Sequence, residues 1–367
     1  MELPQLDDYA RLFLDDVPLL DVRAPVEFGQ GAFPMARNIP ILNDDERQAV
    51  GTCYKEQGPD DAVTLGHELV SGELKAARVA AWVEFVRDHP EGVLYCFRGG
   101  MRSKITQQWI FDASGVVYPR VRGGYKALRR FLLDELERSV ATLDFTVLSG
   151  RTGVGKTELL HRLDHQIDLE GIYRHYGSAF GRMPQPQPSQ IDVENELAIA
   201  LLKQRQRYRN LVIEDESANI GSRRLPVVLK EKMNGSPVVV LEAPRQARIE
   251  LIFRHYVVEG RQRYQTVLGE EAGTGRWAAS LLDALSRIER RLGGSRYAEV
   301  RRLMEAALAR PAGIDFELHS RWIDYLLTNY YDAMYDYQLE KKADRIIFRG
   351  AEAAVLDYLN DAALNPA

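Results

Sequence analysis

The sequence has 367 residues, of which 45% are hydrophobic and 28% are charged, and its formal net charge is −5. This length allows two or three domains with their own cores, and the composition excludes a disordered chain. No run approaches the roughly 18 apolar residues that cross a bilayer. The acidic N-terminus lacks the apolar segment of a signal peptide, so we expect a cytoplasmic protein without a membrane partner.

Short apolar strands alternate with helices in the first third of the chain. Strands are predicted at residues 17–23, 36–40 and 93–95, and an amphipathic helix at 73–88. This alternation is typical of a parallel α/β sheet. We therefore assign residues 1–130 to a first α/β domain. A charged helix follows, and residues 131–143 are interpreted as a helical connector.

A second α/β section begins after the connector. Its predicted strands lie at residues 145–148, 211–213 and 237–241. A proline-rich stretch at residues 183–190 cannot form a regular helix and is predicted to be a loop. From residue 245 onward the pattern is almost wholly helical. We assign residues 144–245 to a second α/β domain and residues 246–367 to a mostly helical region that completes it.

One cysteine stands where a predicted strand ends and a helix begins. The N–H groups of such a loop and of a helix start favour negative charge, and glycines let the backbone curl. A thiolate is therefore favoured at Cys96, and Arg98 and Arg102 can hold an anionic group of a substrate. The other predicted anion-loop residues are Phe97, Gly99, Gly100 and Met101.

Two further observations bear on the cysteines. Cys53 lacks a glycine- and arginine-rich setting and is predicted to be a small buried side chain without a disulfide. The spacing of Cys96 and Arg102 also matches the phosphate cradle of cysteine phosphatases, which usually carry a histidine before the cysteine. Tyr95 occupies that position here, so a phosphatase is the second-ranked interpretation.

A phosphate-binding loop follows the strand at residues 145–148 and opens a helical run. It fits the pattern G-x-x-x-x-G-K-[ST], in which backbone N–H groups cradle phosphates and the lysine reaches the outer one. Its residues are Gly150, Arg151, Thr152, Gly153, Val154, Gly155, Lys156 and Thr157. Thr157 could hold Mg²⁺. The motif recognises phosphates, and a nucleotide and another diphosphate both remain open as ligands.

Carboxylates end the strand at residues 211–213. In P-loop proteins such a strand supplies an acid to the metal shell. Asp215 is the slightly favoured candidate and Glu214 the alternative.

Several segments combine arginine with aromatic residues, a composition that could bind an RNA backbone and stack on unpaired bases. For any single segment, a solvated helix face paired with nearby glutamates is the more ordinary explanation. The whole set, in an acidic protein, modestly favours a nucleic-acid surface. The segments lie at residues 203–209, 254–256, 261–264, 287–302, 321–322 and 330–331.

The motifs together resemble known families. Residues 20–23, 27–28, 36–40, 96–103 and 123–125 occur in the order found in rhodaneses, which carry sulfur or selenium on the loop cysteine. A rhodanese-like domain followed by a P-loop domain resembles the family of bacterial tRNA 2-selenouridine synthases. The most specific matching segments are residues 51–58, 95–103, 123–126, 150–157, 168–171, 177–181 and 214–217.

The resemblance implies a fold and a chemistry. The fold is a rhodanese-like parallel-sheet domain, then a P-loop NTPase-like α/β domain with a helical C-terminal region. The substrate is the anticodon region of tRNA, where wobble 2-thiouridine takes a geranyl group from geranyl diphosphate. Selenium from selenophosphate, carried on Cys96, then replaces the S-geranyl group. No tightly bound cofactor is expected, Mg²⁺ is possible, and a selenophosphate-supplying enzyme is a possible partner. A non-enzymatic alternative is a nucleotide-gated sulfur-carrier module.

Overall fold

The computed structural model describes residues 3–310 and 314–364, so the ends of the predicted segments 1–130 and 246–367 lie partly outside it. The chain divides into two compact units, Met1–Ser139 with Ser189–Lys203, and Val140–Pro188 with Gln204–Ala367. This division differs from the predicted one, because a segment within residues 144–245 belongs to the first unit. No helix of the described residues is both long and apolar enough to cross a membrane.

The first unit is built on a parallel sheet of five short strands. Their order is β1-β5-β4-β2-β3, with neighbours in parallel register. The strands are β1 (Gln5–Leu6), β2 (Leu19–Asp21), β3 (Ala36–Asn38), β4 (Val93–Tyr95) and β5 (Arg120–Val121). The helices are α1 (Tyr9–Leu14), α2 (Pro25–Gln30), α3 (Asp44–Glu56), α4 (Pro59–Leu69), α5 (Gly72–Asp88), α6 (Met101–Ser114) and α7 (Gly124–Thr142). The predicted connector is thus the second half of one continuous helix, α7.

The second unit contains another parallel five-stranded sheet, in the order β12-β11-β6-β8-β7. Its first elements are β6 (Asp144–Ser149), α8 (Lys156–Leu160), β7 (Gln166–Ile167) and α9 (Leu169–Tyr173). After α10 (Gln190–Arg205) come β8 (Asn210–Glu214), the hairpin β9 (Asn219–Ile220) and β10 (Arg223–Arg224), α11 (Val227–Gly235) and β11 (Val238–Leu241). The three predicted strands are present as β6, β8 and β11.

Helix α10 is the segment that joins the first unit. Asn195 Nδ2 donates to the carbonyl of Ala32 at 2.7 Å, and the N–H of Ala32 donates to Asp192 Oδ1 at 2.7 Å. Arg129 Nη1 donates to Asn195 Oδ1 at 2.8 Å. These contacts join residues that are far apart in sequence, so local patterns give no sign of them.

The C-terminal part of the second unit is mostly helical, as predicted, with one exception. The helices are α12 (Arg245–Ile252), α13 (Glu259–Leu268), α14 (Glu270–Leu292), α15 (Gly294–Leu308), α16 (Phe316–Leu326), α17 (Asp332–Glu340) and α18 (Glu352–Leu364). Two π-helical turns, Phe253–Val258 and Leu327–Tyr331, interrupt the series. The exception is β12 (Ile346–Gly350), which pairs in parallel with β11 at the edge of the sheet.

A buried ion pair ties the end of β2 to the loop after α2. Arg23 and Asp21 are 1% and 0% exposed, and Arg23 Nη2 donates to Asp21 Oδ2 at 2.6 Å. Burial opposes the charge of Arg23, but its hydrogen bonds with Asp21 prevail and raise its pKa. The guanidinium also donates to the carbonyl of Gly31 at 2.9 Å and lies 3.8 Å from the ring centroid of Tyr125.

We predict that Asp21→Asn lowers the local free energy of unfolding around β2 and β4 by about 3–5 kcal/mol, because it leaves a buried guanidinium without a counter-charge. Hydrogen exchange followed by mass spectrometry measures this as faster exchange in peptides from both strands.

Asp15→Asn is the matched control, because Asp15 pairs with Arg11 on the surface, where the two side chains are 59% and 70% exposed. Its effect should stay below about 1 kcal/mol. Equal exchange in the two variants would contradict the stabilising role of the buried pair.

Candidate functional sites

The cysteine loop joins β4 to α6 and is held by the start of α7. The carbonyls of Cys96 and Phe97 accept hydrogen bonds from the N–H groups of Tyr125, at 2.9 Å, and Lys126, at 3.0 Å. Both carbonyls are therefore directed at α7. The N–H groups from Phe97 to Met101 have no acceptor within the part of the chain that the structure describes. Such free N–H groups at a helix start form a nest for an anion.

Two glycines allow the loop to pack this closely against α7. Gly99 and Gly124 have φ values of +66° and +60°, which L side chains rarely adopt. A Cβ on Gly124 would stand 2.3 Å from the carbonyl oxygen of Cys96, and one on Gly99 would stand 2.7 Å from the nitrogen of Gly123. A side chain at either position would force the loop away from α7. Gly99 and Gly124 therefore shape the cysteine loop directly.

The Cys96 thiol lies at the bottom of a cavity. The residue is 2% exposed, and its Sγ donates to Ser103 Oγ at 3.2 Å. Ser103 in turn donates to the carbonyl of Gly100 at 3.0 Å. Cys96 nevertheless lines a cavity of about 930 Å³, so an anion that enters the cavity can reach it. Ser103 lies in the matched segment of the cysteine loop, but the sequence patterns assign it no role.

The walls of this cavity are mainly apolar. They are formed by α3, α4, the segments beside these helices, and α6. The apolar lining residues include Ile41, Leu42, Val50, Ala62, Val63, Val70, Phe97, Met101, Ile105 and Trp109, and the charged ones include Glu27, Arg47, Lys55 and Arg98. Cys53 lies outside this lining and is buried, as predicted, with its Sγ 3.7 Å from Gln57 Oε1. The sequence patterns do not predict this apolar cavity.

The two predicted arginines have different surroundings. Arg102 donates to both carboxylate oxygens of Glu27, at 2.5 and 3.0 Å. Burial favours the neutral form of Glu27, but its hydrogen bonds with Arg102 prevail and lower its pKa. Arg98 is exposed at the cavity and makes no ion pair among the described residues. Arg98 is thus available to an anionic group, whereas Arg102 already has a carboxylate partner.

The P-loop connects β6 to α8, as its motif predicts. Gly150, Gly153 and Gly155 have positive φ values of 153°, 79° and 90°. A Cβ on Gly150 would stand 2.5 Å from the carbonyl oxygen of Leu241, and one on Gly153 would stand 3.0 Å from that of Arg248. The loop therefore lies against the end of β11 and against α12. It lines a cavity of about 240 Å³, which also includes Thr152, Lys156, Thr157, Glu170, Glu216, His255 and Tyr256.

Glu214, rather than the favoured Asp215, lies at the P-loop threonine. Thr157 Oγ1 is 2.9 Å from Glu214 Oε1 and 3.1 Å from Glu170 Oε2. Burial and the charge of Glu170 raise the pKa of Glu214 well above its ordinary value. Asp215 instead accepts hydrogen bonds from Ser149 Oγ, at 2.5 Å, and from Lys342. Glu170 lies in the matched segment 168–171, but the sequence patterns assign it no role.

Lys156 is enclosed by acidic and aromatic groups. Burial opposes its charge, but Tyr335 and the carboxyls of Glu170, Glu216 and Glu214 raise its pKa. Burial and the charge of Glu170 also raise the pKa of Glu216 to about 7. Near neutral pH, ionisation of Glu216 therefore changes the charge of a cavity suited to phosphates.

The structure shows which residues of the predicted basic and aromatic segments are buried and which are paired with carboxylates. Trp322 and Tyr331 are buried, so they offer no surface for base stacking. Several arginines are paired with carboxylates: Arg254 with Glu158 at 3.2 Å, Arg263 with Glu259 at 3.5 Å, Arg301 with Glu305 at 2.8 Å and Arg302 with Glu299 at 2.7 Å. The ordinary explanation of a paired helix face therefore fits these positions.

Comparison with known proteins places the chain in a family. A family profile described as the tRNA 2-selenouridine synthase AAA domain matches residues 143–365. A protein of Marinobacter nauticus named tRNA 2-selenouridine synthase is 52% identical, over 97% of each chain. Proteins of the same name from Bordetella bronchiseptica and Pseudomonas fluorescens are each 52% identical, over 96% of each chain.

The chain belongs to the tRNA 2-selenouridine synthase family. The predicted family, the enzyme class and the α/β fold with its P-loop domain are thereby confirmed. The rhodanese-like character of the first domain stays a prediction, with which the parallel sheet and the cysteine loop agree. As expected for this family, the P-loop and its carboxylates lie within the matched residues.

We predict that Glu216→Gln changes the pH dependence of pyrophosphate binding. At pH 6 the wild-type carboxyl is mostly neutral, because its pKa is about 7, and the two proteins should bind equally. At pH 8 the ionised carboxylate repels the anion, so the variant should bind about tenfold more tightly. Isothermal titration calorimetry without divalent cations measures the affinity of each protein at both pH values. The ratio of the variant's affinity to that of the wild type at each pH does not depend on the ionisation of pyrophosphate, because this ionisation affects both proteins equally.

Glu158→Gln serves as the control, because Glu158 lines the same cavity and its pKa is lowered. Burial raises that pKa, but the hydrogen bond with His255 prevails, so Glu158 stays ionised between pH 6 and 8. Its affinity ratio to the wild type should be constant over this range. A constant ratio for Glu216→Gln as well would refute the role assigned to Glu216.

Proposed function

We propose that this protein converts 2-thiouridine at the wobble position of tRNA into 2-selenouridine, by way of S-geranyl-2-thiouridine. Geranyl diphosphate and selenophosphate are the co-substrates, and Cys96 carries the selenium. The observation that carries the proposal is the position of Cys96, in a loop of free N–H groups beneath a mainly apolar cavity. The names of the relatives, at about half-identity over nearly the whole chain, support the same substrate.

The first step is transfer of the geranyl group. The thiouridine sulfur forms a bond to C1 of the geranyl chain, the C1–O bond breaks, and diphosphate leaves with the electron pair. The proton on the uridine ring nitrogen is lost to solvent. The P-loop suits this step, because Lys156 and the loop N–H groups can stabilise the charge that develops on the leaving diphosphate.

The second step is replacement of sulfur by selenium. Loading of Cys96 breaks the P–Se bond of selenophosphate, releases phosphate by reaction with water and forms an S–Se bond, while a disulfide takes up the two electrons that the selenide and the thiolate lose. The terminal selenium of this Cys96 perselenide then attacks C2 of the base. The C2–Se bond forms, the C2–S bond breaks, and the geranylthiolate leaves with the electron pair. Freeing the selenium from Cys96 breaks the S–Se bond and takes two electrons, which a thiol supplies. Alkylation helps because an alkylated sulfur leaves more readily than a free thiocarbonyl sulfur.

The cavity above Cys96 is suited to the alkylated base. Its volume of about 930 Å³ exceeds that of a nucleoside with a ten-carbon chain, and its walls include Ile41, Val50, Ile105 and Trp109. Burial of apolar carbon against such walls is favourable by about 25 cal/mol per Å². The geranyl group would thus hold the substrate at Cys96 during the exchange.

A Mg²⁺ ion is compatible with the P-loop. The Thr157 hydroxyl lies within 3.1 Å of Glu170 and Glu214, and oxygen donors of this kind are the ligands that Mg²⁺ prefers. Among the described residues, no three His, Cys, Asp or Glu side chains gather into a metal site. An ion there would rely on Thr157 and on substrate phosphate oxygens. It would supply positive charge to the leaving diphosphate.

The phosphatase alternative finds less support in the geometry. A cysteine phosphatase needs its loop arginine for the substrate phosphate, but here Arg102 is held by two hydrogen bonds from its guanidinium to Glu27. The residue before the cysteine is Tyr95, whose side chain is fully buried. Neither feature favours hydrolysis of a phosphate ester.

We expect Cys96→Ser to accumulate S-geranyl-2-thiouridine without 2-selenouridine, and Lys156→Ala to slow geranylation at least about 100-fold, because it removes charge stabilisation of the leaving group. Mass spectrometry of nucleosides from 2-thiouridine tRNA, incubated with geranyl diphosphate and selenophosphate together and separately, measures both products.

Cys53→Ser is the matched cysteine control and should form both products at wild-type rates. Absence of any modified nucleoside with the wild type would support a carrier module and overturn the proposed function. Normal selenation by Cys96→Ser would overturn the role of the thiol, and unchanged geranylation by Lys156→Ala would overturn that of the P-loop.

A further inference from the structure

The second unit contains a cavity that the proposed chemistry does not use. Its volume is about 1000 Å³, and it lies between the proline-rich loop, the β9–β10 hairpin and the end of α14. No carboxylate is among its lining residues in the described part of the chain. Five arginines line it: Arg182, Arg223, Arg287, Arg290 and Arg291. In a protein of net charge −5 this is a local concentration of positive charge.

These five arginines differ from several other basic positions in having no carboxylate partner among the described residues. None of the five forms an ion pair with another described residue, whereas Arg301 and Arg302, on the next helix, pair with Glu305 and Glu299. Burial and the nearby charge of Arg182 lower the pKa of Arg287. The charge of Asp283 offsets part of this effect at Arg287, but the two side chains form no ion pair. Cations held this close together without ion-pair partners among the described residues are positioned for an external anion. The C-terminal end of α14 stabilises Arg290 and Arg291 but does not neutralise them.

The wall facing α14 is held in place by hydrogen bonds. Gln187 Nε2 donates to the carbonyls of Tyr173, at 2.9 Å, and Ile220, at 3.1 Å, and Gln187 Oε1 accepts from the N–H of Ser222 at 2.8 Å. Arg223 Nε donates to the carbonyl of Pro188 at 2.5 Å. The proline-rich loop is therefore fixed to the hairpin, and the cavity is formed before a ligand binds.

A buried histidine adds a second indication of a ligand. His175 lines the cavity, is 6% exposed, and its Nδ1 has no hydrogen-bond partner within the described residues. Burial, Arg182 and Arg287 lower its pKa to about 4, so the imidazole is neutral at physiological pH. A buried polar atom without a partner is uncommon in folded proteins and is often satisfied by a ligand or water.

We propose that this cavity binds the sugar-phosphate backbone of the tRNA substrate. Arginine presents several N–H donors in a plane and can contact a phosphate through two of them, while the Gln185 and Asn219 side chains of the lining can reach ribose hydroxyls. Such contacts position an RNA without reading its sequence. The inference rests on the proposed function, because it takes tRNA as the substrate.

The test compares two triple variants that remove the same charge. Arg182→Ala/Arg290→Ala/Arg291→Ala removes three cavity arginines, whereas Arg276→Ala/Arg301→Ala/Arg302→Ala removes three exposed arginines that have carboxylate partners. Fluorescence anisotropy with labelled 2-thiouridine tRNA at several salt concentrations measures the dissociation constant. Nucleoside mass spectrometry on the same proteins gives KM and kcat.

The cavity variant should bind tRNA about tenfold to a hundredfold more weakly, and the dependence of log affinity on log salt should become shallower by about three. KM for tRNA should rise while kcat at saturating tRNA and pyrophosphate affinity stay unchanged, which a merely structural defect would not produce. The control variant should change affinity less than about threefold.

Three outcomes would overturn the inference while the wild type still makes 2-selenouridine. In the first, the cavity variant binds tRNA as tightly as the wild type. In the second, the cavity variant and the control variant lose equal affinity for tRNA. In the third, the cavity variant loses binding to inorganic polyphosphate but keeps its binding to tRNA, which indicates a small-anion site. A wild type that modifies no tRNA would instead overturn the proposed function.

Discussion

The hydrogen bonds from the start of α7 to the carbonyls of Cys96 and Phe97 set the orientation of the peptide groups in the cysteine loop. A peptide group has one acceptor side and one donor side, so fixing the carbonyls against α7 leaves the N–H groups for an anion. The nest therefore depends on backbone geometry more than on charged side chains. Arg102 can therefore be paired with Glu27 while the loop keeps its N–H donors for an anion.

The P-loop is also suited to an anion, but carboxyl groups lie in its cavity. Its lysine is surrounded by Glu170, Glu214 and Glu216, whose pKa values burial raises. Neutral carboxyls can remain next to a phosphate, whereas ionised ones repel it unless a cation intervenes. The two cavities differ accordingly. The cavity of about 240 Å³ has several charged and polar side chains in its lining, whereas the cavity of about 930 Å³ has mainly apolar walls.

Local sequence patterns predicted the two anion loops, but they did not predict features that depend on contacts between residues far apart in the sequence. Both anion loops are strand–turn–helix segments, so glycine spacing sufficed to find them. Strand β12 was missed because it follows a long helical region, and its exposure alternates as in a solvent-facing edge strand. The choice between Glu214 and Asp215 required sheet register, since neighbouring residues of a strand point to opposite faces. The register pairs Glu214 with Leu148, just before the P-loop.

For the basic segments as well, the sequence shows which charges pair within one helix but not which charges meet from distant parts of the chain. Arg301 and Glu305, or Arg302 and Glu299, are three or four residues apart on one helix, so their pairing is visible in the sequence. In the part of the chain that the structure describes, Arg290 has no carboxylate partner, and the sequence does not show this because the lining opposite Arg290 comes from residues 182–187 and 219–223. Whether an arginine cluster is a solvated face or a binding surface therefore depends on whether the fold places carboxylates beside the arginines. An acidic protein can bind RNA through such a region even though its overall field repels the polymer.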